Sequence, residues 1–209
     1  MSRALVVTGT DTGIGKTVIS AALVQALGAS YWKPVQSGLE EETDSAFVAG
    51  MANCHILPEA YRLQLPASPH LSAEAEGVEI ALDALDLPQV YGPLVVEGAG
   101  GLMVPLNRGA LYVDLFARWQ APVVLCASTR LGTINHTLLS LEALRARNCP
   151  VVGVIFSGDP APQVEETICQ FGKVVHLGRL PVIAPLTPDA LRSACAAHID
   201  LDTIRKALI

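Results

Sequence analysis

The chain of 209 residues carries a formal net charge of −6, is 51% hydrophobic and only 16% charged. An acidic sequence without a basic run argues against a nucleic-acid surface built on bulk electrostatics. No apolar run approaches the roughly 18 residues of a spanning helix, because glycine, proline or charge interrupts each one, so no membrane partner is expected either.

The first apolar run, "ALVV" at Ala4–Val7, reads as a strand. A single arginine, too short an apolar stretch and no small-residue cleavage site set it apart from a signal peptide. It leads into "GTDTGIGKT", Gly9 through Thr17, and then into the helical pattern "KTVISAALVQAL". Strand, glycine loop and helix in that order are the setting of a phosphate-binding loop. The spacing departs from G-x-x-x-x-G-K-[ST]: Thr10 stands where the first glycine belongs, and Gly9 is one residue early. The bland alternative is a turn whose glycines merely allow it to bend. A Gly-Lys-Thr opening the first helix favours the phosphate site. Gly13, Ile14, Gly15 and Val18 would then shape and flank the cradle, with backbone N–H groups and the helix dipole aimed at phosphate. Lys16 would reach phosphate oxygens, and the Thr17 hydroxyl would ligate Mg²⁺. Asp11 and Thr12 would sit at the mouth, where a small substrate beside the γ-phosphate could touch them.

Next comes "YWKPVQSG", a short strand ending at Lys33. A lysine at a strand's carboxyl end points into the crevice where open α/β sheets bind ligands, although taken alone it is by default a surface residue. "TDSAFVAGMAN" opens a helix on Thr43-Asp44, so Asp44 is either a magnesium contact or an ordinary N-cap. Cys54 to Gly77 is expected to be loop and short helix near the site. "PLVVEGAGG" places Glu97 after four apolar residues and before a glycine loop. A carboxylate there must meet a cation or hydrogen-bond donors; a capping or salt-bridged glutamate is the alternative.

Further strands are expected at "PVVLCA" (Pro122–Ala127), "PVVGVIF" (Pro150–Phe156) and "KVVHLG" (Lys173–Gly178), with a helix at "TINHTLLSLEALRAR". The alternation indicates an α/β fold of the P-loop NTPase type, a mostly parallel sheet with helices on both faces. With no repeats and no linker, residues 1–209 read as a single domain. The five cysteines, an odd number without C-x-x-C, give no disulfide framework and no zinc site, and fit a reducing cytoplasm.

Taken together, "VTGTDTGIGKT", "KPVQSG", "SPHLSAE", "VVEGAGGLMVPL" and "LGTINHTLLS", spanning Val7 to Ser140, resemble the motifs of the dethiobiotin synthetase family, with a weaker echo in "LGRLP". The resemblance implies an ATP- and Mg²⁺-dependent carboxylation and ring closure of 7,8-diaminopelargonate with CO₂, through a carbamate and a carbamic–phosphoric anhydride. It implies that Lys33 is the active-site lysine alongside Lys16 and that Ser37 contacts the diamine. Glu97, Gly98, Ala99 and Gly100 would touch phosphate and substrate, and Asp44 would join Thr17 and Glu97 at magnesium. Ser157, Gly158, Pro181, Val182 and Ile183 would lie around the base and ribose. Asn135, in the Leu131–Thr137 stretch, would meet the substrate's carboxylate across a homodimer interface, making the active site shared.

Two departures stand out. Where the family usually has Asn-Asp after "GVI", this chain has Ser157-Gly158 after Phe156, and Pro185 lies where an acidic residue is frequent. A serine hydroxyl cannot make the paired donor–acceptor contact of an amide, so looser nucleobase discrimination is expected. The rival from another class is a partition- or septum-type switch ATPase. Those proteins carry an extra lysine early in the loop, whereas this loop starts Gly9-Thr10-Asp11-Thr12. Cobyrinic acid amidating enzymes need a glutamine-hydrolysing domain for which this chain has neither length nor nucleophile context.

Overall fold

A computed structural model describes residues 3–209. The chain runs β1 (Arg3–Gly9), α1 (Lys16–Leu27), β2 (Ser30–Trp32), β3 (Val35–Ser37), α2 (Asp44–Met51), β4 (Ile56–Leu57), β5 (Tyr61–Leu63), α3 (Pro69–Ala75) and a 3₁₀ turn at Leu82–Leu85. It continues with β6 (Pro93–Gly101), α4 (Tyr112–Trp119), β7 (Val123–Ser128), α5 (Thr133–Ala146), β8 (Val151–Ser157), α6 (Pro162–Gly172), β9 (His176–Leu180), α7 (Pro188–His198) and α8 (Leu201–Ala207). Seven strands form one sheet in the order β4-β2-β6-β1-β7-β8-β9, and every pairing within it is parallel.

The valine-rich strands explain this architecture. Leu5, Val6, Val7, Leu94, Val95, Val96, Val123, Val124 and Leu125 are all fully buried, so both faces of the central sheet must be covered, as crossover helices cover them. Alternation then divides them. Leu5, Val7, Val95 and Val124 pack with Ile19, Leu23 and Leu191 of α1 and α7. Val6, Leu94, Val96, Val123 and Leu125 pack with Phe116 of α4 and Leu141 of α5. Each fully buried aliphatic side chain of this kind contributes about 1.5–3 kcal/mol.

The chain leaves β1 through α1 on one face and β6 through α4 on the other, towards opposite edges of the sheet. Neighbouring strands whose connections diverge open a crevice at their carboxyl ends, and this one lies between Gly9 and the glycines after Glu97.

The helices expected at "KTVISAALVQAL" and "TINHTLLSLEALRAR" are found within a residue, and the strand at "ALVV" is found but runs two residues further, to Gly9. Three expectations need correction. The strand placed at Lys173–Gly178 begins only at His176 and runs to Leu180, because Lys173 is the left-handed C-cap of α6, at φ 44°. The glycines after Glu97 are not a loop: β6 continues to Gly101, which pairs with Gly9 after an irregularity in register. Between Cys54 and Gly77 there are, besides the short helix α3, two strands; β4 joins the main sheet and β5 pairs with β3 in a small parallel sheet.

Candidate active site

The loop between β1 and α1 bends through two left-handed glycines, Gly13 at φ 70° and Gly15 at φ 93°. A side chain at Gly15 would also collide with Ser157, whose Oγ lies 2.8 Å from where a Cβ would stand. Gly15 is thus the N-cap of α1, and the first-turn N–H groups point into the loop, an anion-binding arrangement. Lys16 is buried at 7% exposure and its ammonium donates to the carbonyl of Asp11, 2.7 Å away. Burial, then the repulsion of Lys33, holds the Lys16 pKa below its ordinary value.

Thr17 of α1, Lys33 of the link between β2 and β3, Asp44 of α2 and Glu97 of β6 converge. Thr17 Oγ1 lies 2.5 Å from Asp44 Oδ1 and 3.0 Å from Glu97 Oε1. Lys33 Nζ lies 2.6 Å from Asp44 Oδ2 and 3.2 Å from Glu97 Oε1, and donates to the Gly98 carbonyl at 3.0 Å. Glu97 is wholly buried, its second oxygen accepting from the Tyr31 hydroxyl at 2.9 Å. Burial alone would lower the Lys33 pKa, but the carboxylates of Glu97 and Asp44 outweigh it and raise the pKa above its ordinary value. Burial likewise works against ionisation of Asp44, and the attraction of Lys33 reverses it, leaving that pKa lowered.

Thr43, not Asp44, caps α2: its side chain accepts from Ala46 N–H, which leaves the Asp44 carboxylate free to face the cluster. Glu97 does not cap a helix; it is salt-bridged to Lys33, one of the arrangements its place in the sequence left open. Among the described residues no group of three or more His, Cys, Asp or Glu could hold a metal alone. The set here is instead two carboxylates and one hydroxyl, hard oxygen donors that suit Mg²⁺ completed by phosphates and water. Thr17 has a single hydroxyl proton for two carboxylate neighbours, so one oxygen–oxygen contact lacks a full hydrogen bond. A cation bound there would supply the missing positive partner.

These groups line one end of a cleft of about 740 Å³, within the usual range for small-molecule sites. Thr12, Gly13, Gly15, Lys16, Thr17, Val18, Lys33, Ser37, Asp44, Glu97, Ala99 and Gly100 all border it. The Ser37 Oγ is buried without a hydrogen-bond partner. Gly98 contributes its carbonyl to Lys33, and a side chain there would press on Phe116, whose ring lies 3.1 Å from where a Cβ would stand.

A second cleft, about 410 Å³, opens on the other side of the loop and is bordered by Gly13, Ile14, Gly15, Ser157, Gly158 and Val182, among others. Ile183 packs instead against the core beneath α1 and α7, and Pro181 is half-buried and borders neither cleft. Asn135 lies on the exposed side of α5 and faces neither cleft of its own chain. Three contributors were not anticipated. Gln36 lines the first cleft and accepts from the Asp44 N–H at 3.4 Å. Tyr31 anchors Glu97, and Pro66–Pro69 form a wall of the cleft. Tyr31 and Gln36 flank Lys33 inside "YWKPVQSG", and the wall precedes "HLSAE"; those motifs were the available signal.

A family model described as an AAA domain matches residues 3–190. The ATP-dependent dethiobiotin synthetase BioD of Rhodopseudomonas palustris (strain HaA2) is 60% identical over 209 residues, covering 99% of this chain and 98% of that protein. The chain belongs to the ATP-dependent dethiobiotin synthetase family. The family's protein of the same name from Brucella anthropi is likewise 60% identical, over 97% of both chains. Among solved structures, the cell division ATPase MinD of Pyrococcus furiosus superposes with a TM-score of 0.58 at 15% identity, over 99% of each chain. That likeness shows a shared fold alone, the P-loop NTPase architecture. No helix among the described residues is long and apolar enough to cross a membrane.

Proposed function

We propose that this chain, in the cytoplasm, converts 7,8-diaminopelargonate, CO₂ and ATP to dethiobiotin, ADP and phosphate, with Lys16 and Lys33 as its catalytic residues. The observation that carries the reading is the convergence of Thr17, Lys33, Asp44 and Glu97 beside the phosphate loop, at one end of a cleft also bordered by Ser37. Phosphates lie on Gly13–Thr17 and Val18, the diamine lies toward Ser37 and Thr12, and the Glu97–Gly100 segment faces both.

One amine takes up CO₂ and loses a proton to give a carbamate. A carbamate oxygen then attacks the γ-phosphorus as the bond to ADP breaks, forming a carbamic–phosphoric anhydride. The second amine attacks the carbamoyl carbon, phosphate departs with that oxygen and takes up the proton the amine gives up, and the cyclic urea closes. Such a sequence asks the protein mainly for positioning and charge stabilisation. Lys33, its pKa raised by two carboxylates, stays a cation at neutral pH. It therefore serves as a fixed positive charge beside the transferring phosphoryl group and not as a base. Lys16 supplies the second cation from the opposite wall. Magnesium, when held by Thr17, Asp44 and Glu97, adds charge neutralisation at the phosphates.

The diamine's carboxylate is met by Asn135 from a second copy of the chain, in a homodimer; the exposure of Asn135 on α5 and of Leu131 in the turn before it supports that arrangement. Isotope transfer tests the sequence of steps. In a rapid reaction with ¹⁸O-labelled CO₂, the released phosphate should carry one labelled oxygen for each dethiobiotin formed. Unlabelled phosphate alongside product would overturn the carbamate attack.

A further inference from the structure

The second cleft begins at the phosphate loop and ends against the segment that follows β8. A nucleotide whose phosphates occupy Gly13–Thr17 can extend its base along this wall, and Ser157 is close enough to Gly15 to exclude a side chain there. With Ser157 and Gly158 at this wall no side-chain amide is available, so the base meets backbone polar groups whose placement decides the fit.

That backbone is tied down from behind by a set of side chains that the reaction itself does not use. Gly158 N–H donates to the Leu180 carbonyl at 3.2 Å. The Gly158 carbonyl accepts from Arg179 Nη1 at 2.9 Å. Arg179 Nε faces Glu165 Oε1 at 3.5 Å, and the same oxygen accepts from the Ala161 N–H at 3.2 Å. The other Glu165 oxygen meets His176 Nε2 at 2.8 Å. His176 Nδ1 accepts from the Gly178 N–H at 3.1 Å, which assigns the ring proton to Nε2 and makes it the donor to Glu165. The Glu165 side chain is only 10% exposed, so its charge requires this full set of partners. Both ends of the segment from Gly158 to Ala161 are therefore fixed by one buried carboxylate, through Arg179 at one end and directly at the other.

We propose that Arg179, held by Glu165, whose other oxygen is held by His176, is a positioning residue for the nucleotide's base: through the Gly158 carbonyl it sets the backbone against which the base lies. The inference rests on the ATP-site reading above. A role confined to fold stability would weaken all ligands alike or none, whereas a base-positioning role separates ligands with a base from those without one.

The test compares ATP with inorganic tripolyphosphate, which can occupy the phosphate loop but has no base. In Arg179→Met the KM for ATP should rise about tenfold, the scale of losing one hydrogen bond from a charged donor. The inhibition constant of tripolyphosphate and kcat at saturating ATP should stay within about twofold of the unaltered protein. Arg179→Lys, which keeps the charge but not the fork that reaches both Gly158 and Glu165, should fall between, and it serves if Arg179→Met does not fold. Equal weakening of ATP and tripolyphosphate, or an unchanged KM for ATP, would overturn the proposal. If the unaltered protein neither binds nor uses ATP, the ATP-site reading fails instead, so the two failures are distinguishable.

Discussion

Replacing Lys33 with methionine removes the cation between Asp44 and Glu97 while keeping much of its volume. In the intact protein Lys33 lies 2.6 Å from Asp44 and 3.2 Å from Glu97, and Glu97 has no exposed surface. Truncating one partner of a buried ion pair costs about 3–5 kcal/mol. Asp44 keeps 29% of its side chain in solvent, which screens part of the effect and points to the lower end, about 3 kcal/mol. At about 2–4 °C per kcal/mol for a domain of this size, Tm at pH 7 should fall by roughly 6–12 °C.

The pH dependence is the sharper signature. Without Lys33, two carboxylates flank the single Thr17 hydroxyl, and they cannot both ionise freely. One keeps its proton in the folded state, with a pKa above its unfolded value. A raised folded pKa gives stability that is lost as pH rises, so the deficit relative to the unaltered protein should grow between pH 5 and 8. Its slope should reach at most about 1.4 kcal/mol per pH unit. Thermal unfolding followed by circular dichroism across that range measures it. An equal Tm loss at pH 5 and pH 8, or a loss below about 2 °C throughout, would refute the electrostatic account of the cluster.

Gly15→Ala places a methyl group 2.8 Å from Ser157 Oγ at a φ of 93°. It should destabilise the fold by about 1–2 kcal/mol in urea titrations and weaken ATP binding in calorimetry; unchanged values would show that the loop has more room than its geometry implies. With Ser157 and Gly158 at the base wall, ATP, GTP and CTP at subsaturating concentration should support comparable rates, and strict ATP dependence would remove that reading. If Asn135 serves the neighbouring chain's site, inactive Lys16→Ala and inactive Asn135→Ala proteins mixed and re-equilibrated should recover about a quarter of the original activity, because random pairing restores one site in half of the dimers. No recovery despite demonstrated subunit exchange would place Asn135 outside a shared site.

The central sheet was legible because its strands are apolar on both faces, and α1 because its glycines and its Gly-Lys-Thr announce where it starts. Glu97 stood out because a charge at the end of a buried strand needs a partner, whereas Lys33, by default a surface residue on local grounds, drew its role from the family resemblance. Asp44 was not decidable locally. A Thr-Asp pair at a helix start has two interchangeable readings, and only the packing of α2 beside β2 shows which oxygen caps and which faces Lys33. β3, β4 and β5 are two or three residues long, too short for a period to register. The continuation of β6 through Gly98–Gly101 was hidden because glycine there reads as a turn, although close approach to Gly9 and Phe116 is what requires it. The Glu165–Arg179–His176 set spans α6 and β9, and no motif joins those positions in sequence.

The most direct test of the account is a product assay with purified protein, 7,8-diaminopelargonate, ¹³C-bicarbonate, Mg²⁺ and ATP. The account predicts dethiobiotin labelled at its ureido carbon, with one ADP and one phosphate per molecule, and no product from Lys16→Ala or Lys33→Ala. ATP hydrolysis indifferent to the diamine and stimulated by DNA or anionic lipid, with no labelled dethiobiotin, would contradict it and return the chain to the switch ATPases whose fold it shares.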